Sequence, residues 1–197
     1  APYYNARSGE RIEKPAIKSD EKSGAERKNF GRMEQGDYDI MEKTPETRRR
    51  GERDGIGMAI EAVKKYFESW GMADRVREFD VSSATVELAA QALGCQPCRI
   101  AKTLSFLVDG QAVLIVAAGD AKIDNPKYKA RFGTKAKMLS PGEVEELVGH
   151  AVGGVCPFGI KDGVKVYLDE SLKRFETVFP ACGSGNSAIE LSIGELE

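Results

Sequence analysis

Two apolar segments on either side of an Asp109-Gly110 dipeptide constrain the fold more than any other feature of this chain. Residues 100–108 read IAKTLSFLV and residues 111–118 read QAVLIVAA. An Asp-Gly pair between two β-rich segments is a strong signal for a hairpin with a two-residue turn. The first segment is too hydrophobic for an exposed edge strand, so we predict that the hairpin lies inside a sheet.

The rest of residues 58–197 alternates irregularly between helical and strand-like patterns. Apolar residues at helical spacing predict an amphipathic helix over residues 58–71, with an apolar face of Ile60, Val63, Phe67 and Trp70. Helices are also predicted within residues 82–94 (capped by a serine), 126–133 and 141–149, and strands within residues 75–80, 164–170, 175–183 and 187–193. The fold class is therefore predicted to be α+β, a single compact domain with a mixed, largely antiparallel sheet and flanking helices.

Residues 1–57 differ in composition from the rest of the chain. They hold 13 Lys and Arg and 12 Asp and Glu, but no Leu, Val, Trp or Cys. Such a segment buries too little apolar surface to offset its chain entropy. We predict a polar N-terminal extension over residues 1–57, disordered or not native, before a globular domain over residues 58–197. Met58 is a candidate translation start, in which case the extension would be a translated leader.

The composition also argues against several classes of protein. The net charge is −2, and no apolar run approaches the ~20 residues of a membrane helix. The N-terminus is polar, unlike a signal peptide, and four cysteines in a chain of 197 residues do not resemble a secreted disulfide scaffold. We expect a cytoplasmic protein with reduced thiols and no membrane association.

Lys102 is the first candidate for a functional residue. Side chains alternate along a strand, so Lys102 shares a face with Ile100, Leu104 and Phe106. A lysine on such a face either extends to solvent or meets an anion in a pocket. The strand pattern alone favours the first interpretation.

Two glycine-rich loops follow the hairpin. They read GHAVGGVCPFG from residue 149 and ACGSGNSA from residue 181. Loops of this kind expose backbone groups that can hold a phosphate or an oxyanion, although they are also common as plain turns. His150, the single histidine of the sequence, is either a general base beside the first loop or a structural residue.

The cysteines and the basic residues give weaker signals. Cys95 and Cys98 form a C-x-x-C pair, but Cys156 and Cys182 are isolated, whereas a zinc site usually takes a second close pair. We therefore expect no metal.

Residues 121–137 hold six lysines and arginines against one aspartate, with two aromatic residues between them, and are a candidate contact for the phosphates of a nucleic acid.

Three segments together resemble the YbaK/EbsC-type aminoacyl-tRNA deacylases, relatives of the editing insertion domain of bacterial prolyl-tRNA synthetase. They read RIAKTLSFLVDGQAVLIVAAGDAKID, GHAVGGVCPFGI and FPACGSGNSAIELSIGEL. The resemblance covers residues 58–197 and rests on the order and spacing of these motifs. It implies a freestanding hydrolase that deacylates tRNA carrying a wrong small amino acid, such as alanine or cysteine on proline tRNA, without a cofactor.

The resemblance also implies roles for individual residues. Lys102 would lie near the 3′-terminal adenosine and its phosphate, and the loop of Gly153 and Pro157 would hold the aminoacyl carbonyl; these three are the predicted catalytic residues. Substrate contacts are predicted for Thr103, His150, Gly154, Gly183, Ser184 and Asn186, and tRNA contacts for Lys127, Lys129 and Arg131. Aminoacyl-tRNA is the implied partner, a synthetase is a candidate second partner, and a monomer is expected. The alternative is a non-catalytic module of the same fold that binds tRNA or a nucleotide.

Overall fold

The computed structural model describes residues 45–197, with side chains described from residue 57 onward. The first helix, α1, is Pro45–Glu68 and therefore crosses the predicted domain boundary after residue 57. Residues 1–44 of the predicted extension lie outside the described residues. None of the helices in the described part is long and apolar enough to cross a membrane.

Four further helices and seven strands follow α1. Helices α2 to α5 are Val86–Leu93, Asn125–Phe132, Pro141–Leu147 and Ile193–Leu196. Strands β1 to β7 are Arg77–Glu78, Ile100–Val108, Gln111–Ala118, Lys165–Leu168, Thr177–Pro180, Ser187–Ala188 and Leu191–Ser192. Short 3₁₀ helices span Ala73–Arg75, Pro97–Arg99 and Glu170–Arg174.

The β2–β3 hairpin is the centre of a five-stranded sheet with the order β4-β3-β2-β5-β7. Its turn residues Asp109 and Gly110 both have positive φ, at 49° and 78°, as a tight hairpin turn requires. The hairpin and the β5–β7 pair are antiparallel, whereas β3–β4 and β2–β5 are parallel. A separate antiparallel pair joins β1 to β6. The predicted α+β fold with a mixed sheet and flanking helices is confirmed.

Helix α1 packs its apolar face into the main core. Ile60, Val63 and Phe67 are buried, as their spacing predicts, and the ring of Phe67 lies 4.6 Å from that of Phe158. Trp70 does not belong to this face, because the helix ends at Glu68, and 63% of its surface is exposed. The contact with Phe158 connects α1 to the first glycine-rich loop.

The N-terminus of α2 differs from the prediction of a serine cap. The N-cap residue is Thr85, whose hydroxyl accepts a hydrogen bond from the backbone N–H of Leu88 at 3.2 Å. Because the helix begins only at Val86, Ser82 and Ser83 belong to the loop before it. Similarly, α3 begins at Asn125 rather than at Pro126, so the predicted start is one residue late.

Candidate active site

A pocket with a volume of about 440 Å³ lies beside β2, within the ~300–1,000 Å³ range of small-molecule sites. Its wall is formed by the α2 N-terminus, β2, α4 with the segment before it, and both glycine-rich loops. The lining residues are 83–86 and 89, 100–105, 138, 139, 141 and 144, 152, 153 and 155, and 179, 181, 187 and 188. Most of these are apolar, so a few polar groups determine how a ligand is oriented.

The pocket brings together three of the predicted site residues: Lys102, Thr103 and Gly153. The remaining predicted catalytic and substrate-contact residues fall outside its wall. Those residues are His150, Gly154, Pro157, Gly183, Ser184 and Asn186. Most of this second group is buried behind the wall, where it supports the loops rather than lining the cavity.

Lys102 is held at the pocket wall by the backbone of the loop after β3. Its ammonium donates hydrogen bonds to the carbonyl oxygens of Gly119, at 2.9 Å, and Ala121. An ammonium has three N–H donors, so one further donor is available to a ligand. Burial lowers the pKa of Lys102, and the nearby carboxylate of Asp120 opposes that effect. Lys102 is therefore neither a solvent-extended lysine nor one half of a close ion pair.

Gly153 and Gly154 occupy positions that a larger residue would not fit. Gly153 has φ +93°, and a Cβ atom there would lie 2.8 Å from the Cβ of Ala84. A Cβ atom on Gly154 would lie 2.5 Å from the backbone nitrogen of Ser184. The N–H of Gly183 donates to the Gly154 carbonyl at 3.0 Å. The two glycine-rich loops therefore meet backbone to backbone.

The polar side chains of the second loop are used within the structure. The Ser184 hydroxyl lies 2.7 Å from that of Ser187 and 2.9 Å from the amide oxygen of Asn186. The Asn186 side chain donates to the Phe79 carbonyl at 2.9 Å, and its backbone carbonyl accepts from the Phe79 N–H at 2.7 Å. Ser187 is the member of this network that lines the pocket.

His150 is not brought into the pocket. It is fully buried, and its Nε2 lies 2.8 Å from the Phe158 carbonyl oxygen. Burial lowers its pKa, which favours the neutral ring. Of the two interpretations of this residue, its position fits the structural one, because an enclosed imidazole cannot reach a substrate in the pocket.

Two hydroxyl groups of the pocket-lining residues are buried without a hydrogen-bond partner among the described residues: Ser83 Oγ and Thr103 Oγ1. Such groups are destabilising unless they gain a partner. The sequence does not indicate Ser83 as a pocket residue, because a serine before a helix is usually a cap. Its backbone N–H donates to the Gly185 carbonyl at 2.6 Å, which links this loop to the second glycine-rich loop.

The cysteines do not form a site in the structure. Cys156 and Cys182 are buried, and Cys95 and Cys98 are partly exposed. Burial raises the pKa of Cys156 to about 12, which keeps it a neutral thiol. In residues 57–197, no three His, Cys, Asp or Glu side chains are arranged to hold a metal ion.

Helix α3 lies on the same face of β2 as Lys102. Tyr128 of α3 packs against Phe106, with ring centroids 5.1 Å apart, and Phe106 alternates onto the Lys102 face. The predicted tRNA contacts Lys127, Lys129 and Arg131 are on this helix and do not line the pocket. Lys129 and Arg131 are exposed and Lys127 partly so, which gives α3 a basic surface on the side of β2 that carries Lys102.

Comparison with known proteins connects this geometry to a family. Residues 81–197 match the family model of the aminoacyl-tRNA editing domain. The chain is 59% identical to YwhH of Bacillus subtilis (strain 168) over 140 residues, which are 71% of this chain and 89% of that protein. It is 33% identical over 90 residues to the proline–tRNA ligase of Lysinibacillus sphaericus (strain C3-41), covering 45% of this chain but only 16% of the ligase.

A solved structure shares the fold. It is described as a candidate trans-editing enzyme for prolyl-tRNA synthetase and superimposes with a TM-score of 0.64 at 32% identity, covering 70% of this chain and 88% of that one. The resemblance inferred from the three sequence motifs is thus confirmed. The chain belongs to the aminoacyl-tRNA editing domain family.

Proposed function

We propose that this protein is a freestanding, monomeric aminoacyl-tRNA deacylase of the cytoplasm that removes a wrong small amino acid from tRNA. Alanine or cysteine on proline tRNA is the proposed substrate, and the synthetase that makes the error is a candidate partner. The observation that carries the proposal is that Lys102 and Gly153, from separate motifs of an editing-family chain, line one pocket. The relation to proline–tRNA ligases supports the choice of tRNA.

Lys102 acts in this proposal as a fixed positive charge. Two of its donors are bound to Gly119 and Ala121, and the third contacts a phosphate or ribose oxygen of the 3′-terminal adenosine. Thr103, the next residue of β2, lines the same pocket and is the proposed second contact of that substrate. A lysine held by neutral carbonyls keeps its charge available to an anion, whereas one paired with a carboxylate would be neutralised.

The backbone of residues 153–157 holds the aminoacyl carbonyl. Water attacks the carbonyl carbon, the bond to the ribose oxygen breaks, and a neighbouring ribose hydroxyl relays the proton to that oxygen. An aminoacyl ester is already activated, so orientation and stabilisation of the oxyanion supply most of the acceleration. Apolar walls select by size at about 1–3 kcal/mol per methylene, so selection by the pocket is combined with recognition of the tRNA.

One observation favours the alternative of a non-catalytic binding module. Of the described residues that form the pocket wall, none is Asp, Glu, His or Cys, so the protein brings no ordinary general base to the site. Substrate-assisted proton transfer removes that requirement for the deacylase. The deacylase and the binding module would therefore use the same site and differ in whether the protein accelerates hydrolysis of the aminoacyl ester.

The test is the hydrolysis of Ala- and Cys-tRNA(Pro) by the wild type, Lys102→Met and Lys161→Met. Lys161 is a matched control, because its ammonium also donates to two backbone carbonyls, those of Glu145 and Glu146, but it does not line the pocket. We expect the Lys102 variant to lose at least about 100-fold in kcat/KM, or about 2.7 kcal/mol, and the control to retain its rate. Equal rates with and without wild-type protein, together with binding of the tRNA, would establish the alternative.

A further inference from the structure

We propose that Asp120 and Arg174 are positioning residues for Lys102 and act through the loop of residues 119–121. Neither side chain lines the pocket, so neither is a candidate for contact with the substrate. The inference rests on the proposed function, since it concerns the same lysine. It gives Asp120, which lies within the first of the three sequence motifs, and Arg174, which lies outside them, a role that the motifs do not indicate.

The loop determines where the Lys102 ammonium points. Both hydrogen-bond acceptors of Lys102 are carbonyl oxygens of this loop, on Gly119 and Ala121. Because these two bonds use two of three tetrahedrally arranged donors, the direction of the third N–H follows from the position of the loop. A shift of the loop would move the charge that faces the pocket.

Asp120, between the two acceptor residues, ties the loop to the protein. Its carboxylate receives two hydrogen bonds from the Arg174 guanidinium, at 3.0 and 2.5 Å. Paired contacts of this kind define orientation as well as distance. Gly119 packs closely against Pro97, because a Cβ atom on Gly119 would lie 2.0 Å from the Pro97 carbonyl oxygen. The loop is therefore tied at Asp120, between its two acceptors, and closely packed at Gly119, which is one of them.

Arg174 is itself fastened to the end of β3, from which the loop emerges. Its Nε donates to the Ser171 carbonyl at 2.9 Å. The Ser171 hydroxyl accepts from the N–H of Ala118, the last residue of β3, at 3.1 Å. The 3₁₀ helix Glu170–Arg174 thus holds both the start of the loop and its central carboxylate.

Charge provides a second way for Asp120 to act on Lys102. Burial is the largest influence on the pKa of Lys102 and lowers it, as does the ammonium of Lys122, whereas the carboxylates of Asp120, Glu87 and Asp169 raise it. Asp120 has the largest effect among the three carboxylates. Removing its charge should lower the pKa of Lys102, while removing Arg174 should disturb mainly the position of the loop.

The first experiment is a double-mutant cycle on deacylation. Asp120→Ala and Arg174→Ala are measured in the wild-type and Lys102→Met backgrounds. We expect each substitution to lower kcat by about tenfold in the wild type and by less than about twofold in the Lys102→Met background. The reason is that substitutions of residues that act through one another do not have additive effects on the rate. Losses of equal size in both backgrounds would overturn the proposal.

The matched control is another arginine–carboxylate pair away from the pocket wall. Arg75 donates to Glu195 at 2.7 and 3.3 Å, with side-chain exposure similar to that of the Arg174 pair. Arg75→Ala should leave kcat unchanged. A tenfold loss in this control as well would show that loss of any such ion pair impairs the fold, and the positioning role would be withdrawn.

The second experiment does not depend on catalysis. The Lys102 Cε resonance, assigned by its loss in Lys102→Met, is titrated by ¹³C NMR in the wild type, Asp120→Asn and Glu195→Gln. We expect Asp120→Asn alone to lower the pKa of Lys102; an unchanged titration would overturn the inference. If the wild type does not deacylate, the proposed function fails, and this titration still decides whether Asp120 controls Lys102.

Discussion

The backbone N–H of Gly183 donates a hydrogen bond to the carbonyl of Gly154 at 3.0 Å, and this contact joins the two glycine-rich loops. Gly154 faces the backbone of Ser184, so the first loop has no room for a side chain at this position. Because Gly153 lines the pocket and Gly154 supports it, the distance between the loops sets the shape of the pocket wall.

Gly154→Ala should therefore lower both stability and deacylation. The added Cβ would lie 2.5 and 2.6 Å from backbone atoms of the second loop, which cannot move as a side chain can. We expect a loss of about 1–3 kcal/mol in the free energy of unfolding, measured by denaturant titration. Gly142→Ala is the control, because a Cβ there meets nothing within 4 Å and lies in α4. A similar loss in both variants would contradict the steric explanation.

Thr103→Val should separate stability from activity. The Thr103 hydroxyl is buried with no partner among the described residues, so replacing it by a methyl group of the same size should leave the free energy of unfolding unchanged or raise it. If that hydroxyl bonds the substrate, kcat/KM should fall by about three- to tenfold, equivalent to about 0.5–1.5 kcal/mol.

Thr85→Val provides the contrast in stability, because the Thr85 hydroxyl caps α2. Its loss should cost about 1 kcal/mol of stability. Full activity in Thr103→Val would show that the substrate does not use the Thr103 hydroxyl.

His150 should make the protein less stable in mild acid. Burial lowers its pKa in the folded state, so the unfolded chain binds a proton more readily. The contribution of neutral His150 to the free energy of unfolding is fully present above about pH 6.5, the pKa of a histidine in the unfolded chain. It decreases as the pH falls below that value, by at most about 1.4 kcal/mol per pH unit. Unfolding titrations between about pH 7.5 and 5.0 measure this slope.

His150→Gln is the comparison for that slope, since a glutamine does not titrate. Its curve should be flatter over the same pH range. Parallel curves for the two proteins would mean that His150 does not control acid stability.

The basic surface of α3 should control the salt dependence of tRNA binding. Replacing Lys127, Lys129 and Arg131 by alanine should weaken binding and reduce the slope of log K against log salt by about 2–3, as expected when up to three phosphate contacts are lost. A triple variant of Lys65, Lys161 and Lys173, which removes the same charge from other elements, should keep the slope. An unchanged slope in the α3 variant would exclude that surface.

Local sequence is sufficient to predict the central hairpin, the start of α4 and most of the apolar face of α1. The Asp109-Gly110 turn and the alternation along β2 depend on neighbouring residues only, and this alternation places Lys102 on the same face as Phe106. The assignment of Trp70 to the face of α1 is wrong, because spacing alone does not show that the helix ends at Glu68. Ser83 is not predicted as a pocket residue, because the sequence does not distinguish it from Thr85 as the cap of α2.

What the sequence determined by itself was thus the strand that carries Lys102 and the order of the loops that follow it. The tertiary structure decided which groups meet: the carbonyls of Gly119 and Ala121 for Lys102, the Phe158 carbonyl for His150, and the Ser184 backbone for Gly154. Turns and alternation arise between neighbours in the chain. A pocket wall depends on distant segments brought together by burial of a common core, and that proximity is not encoded in any one of them.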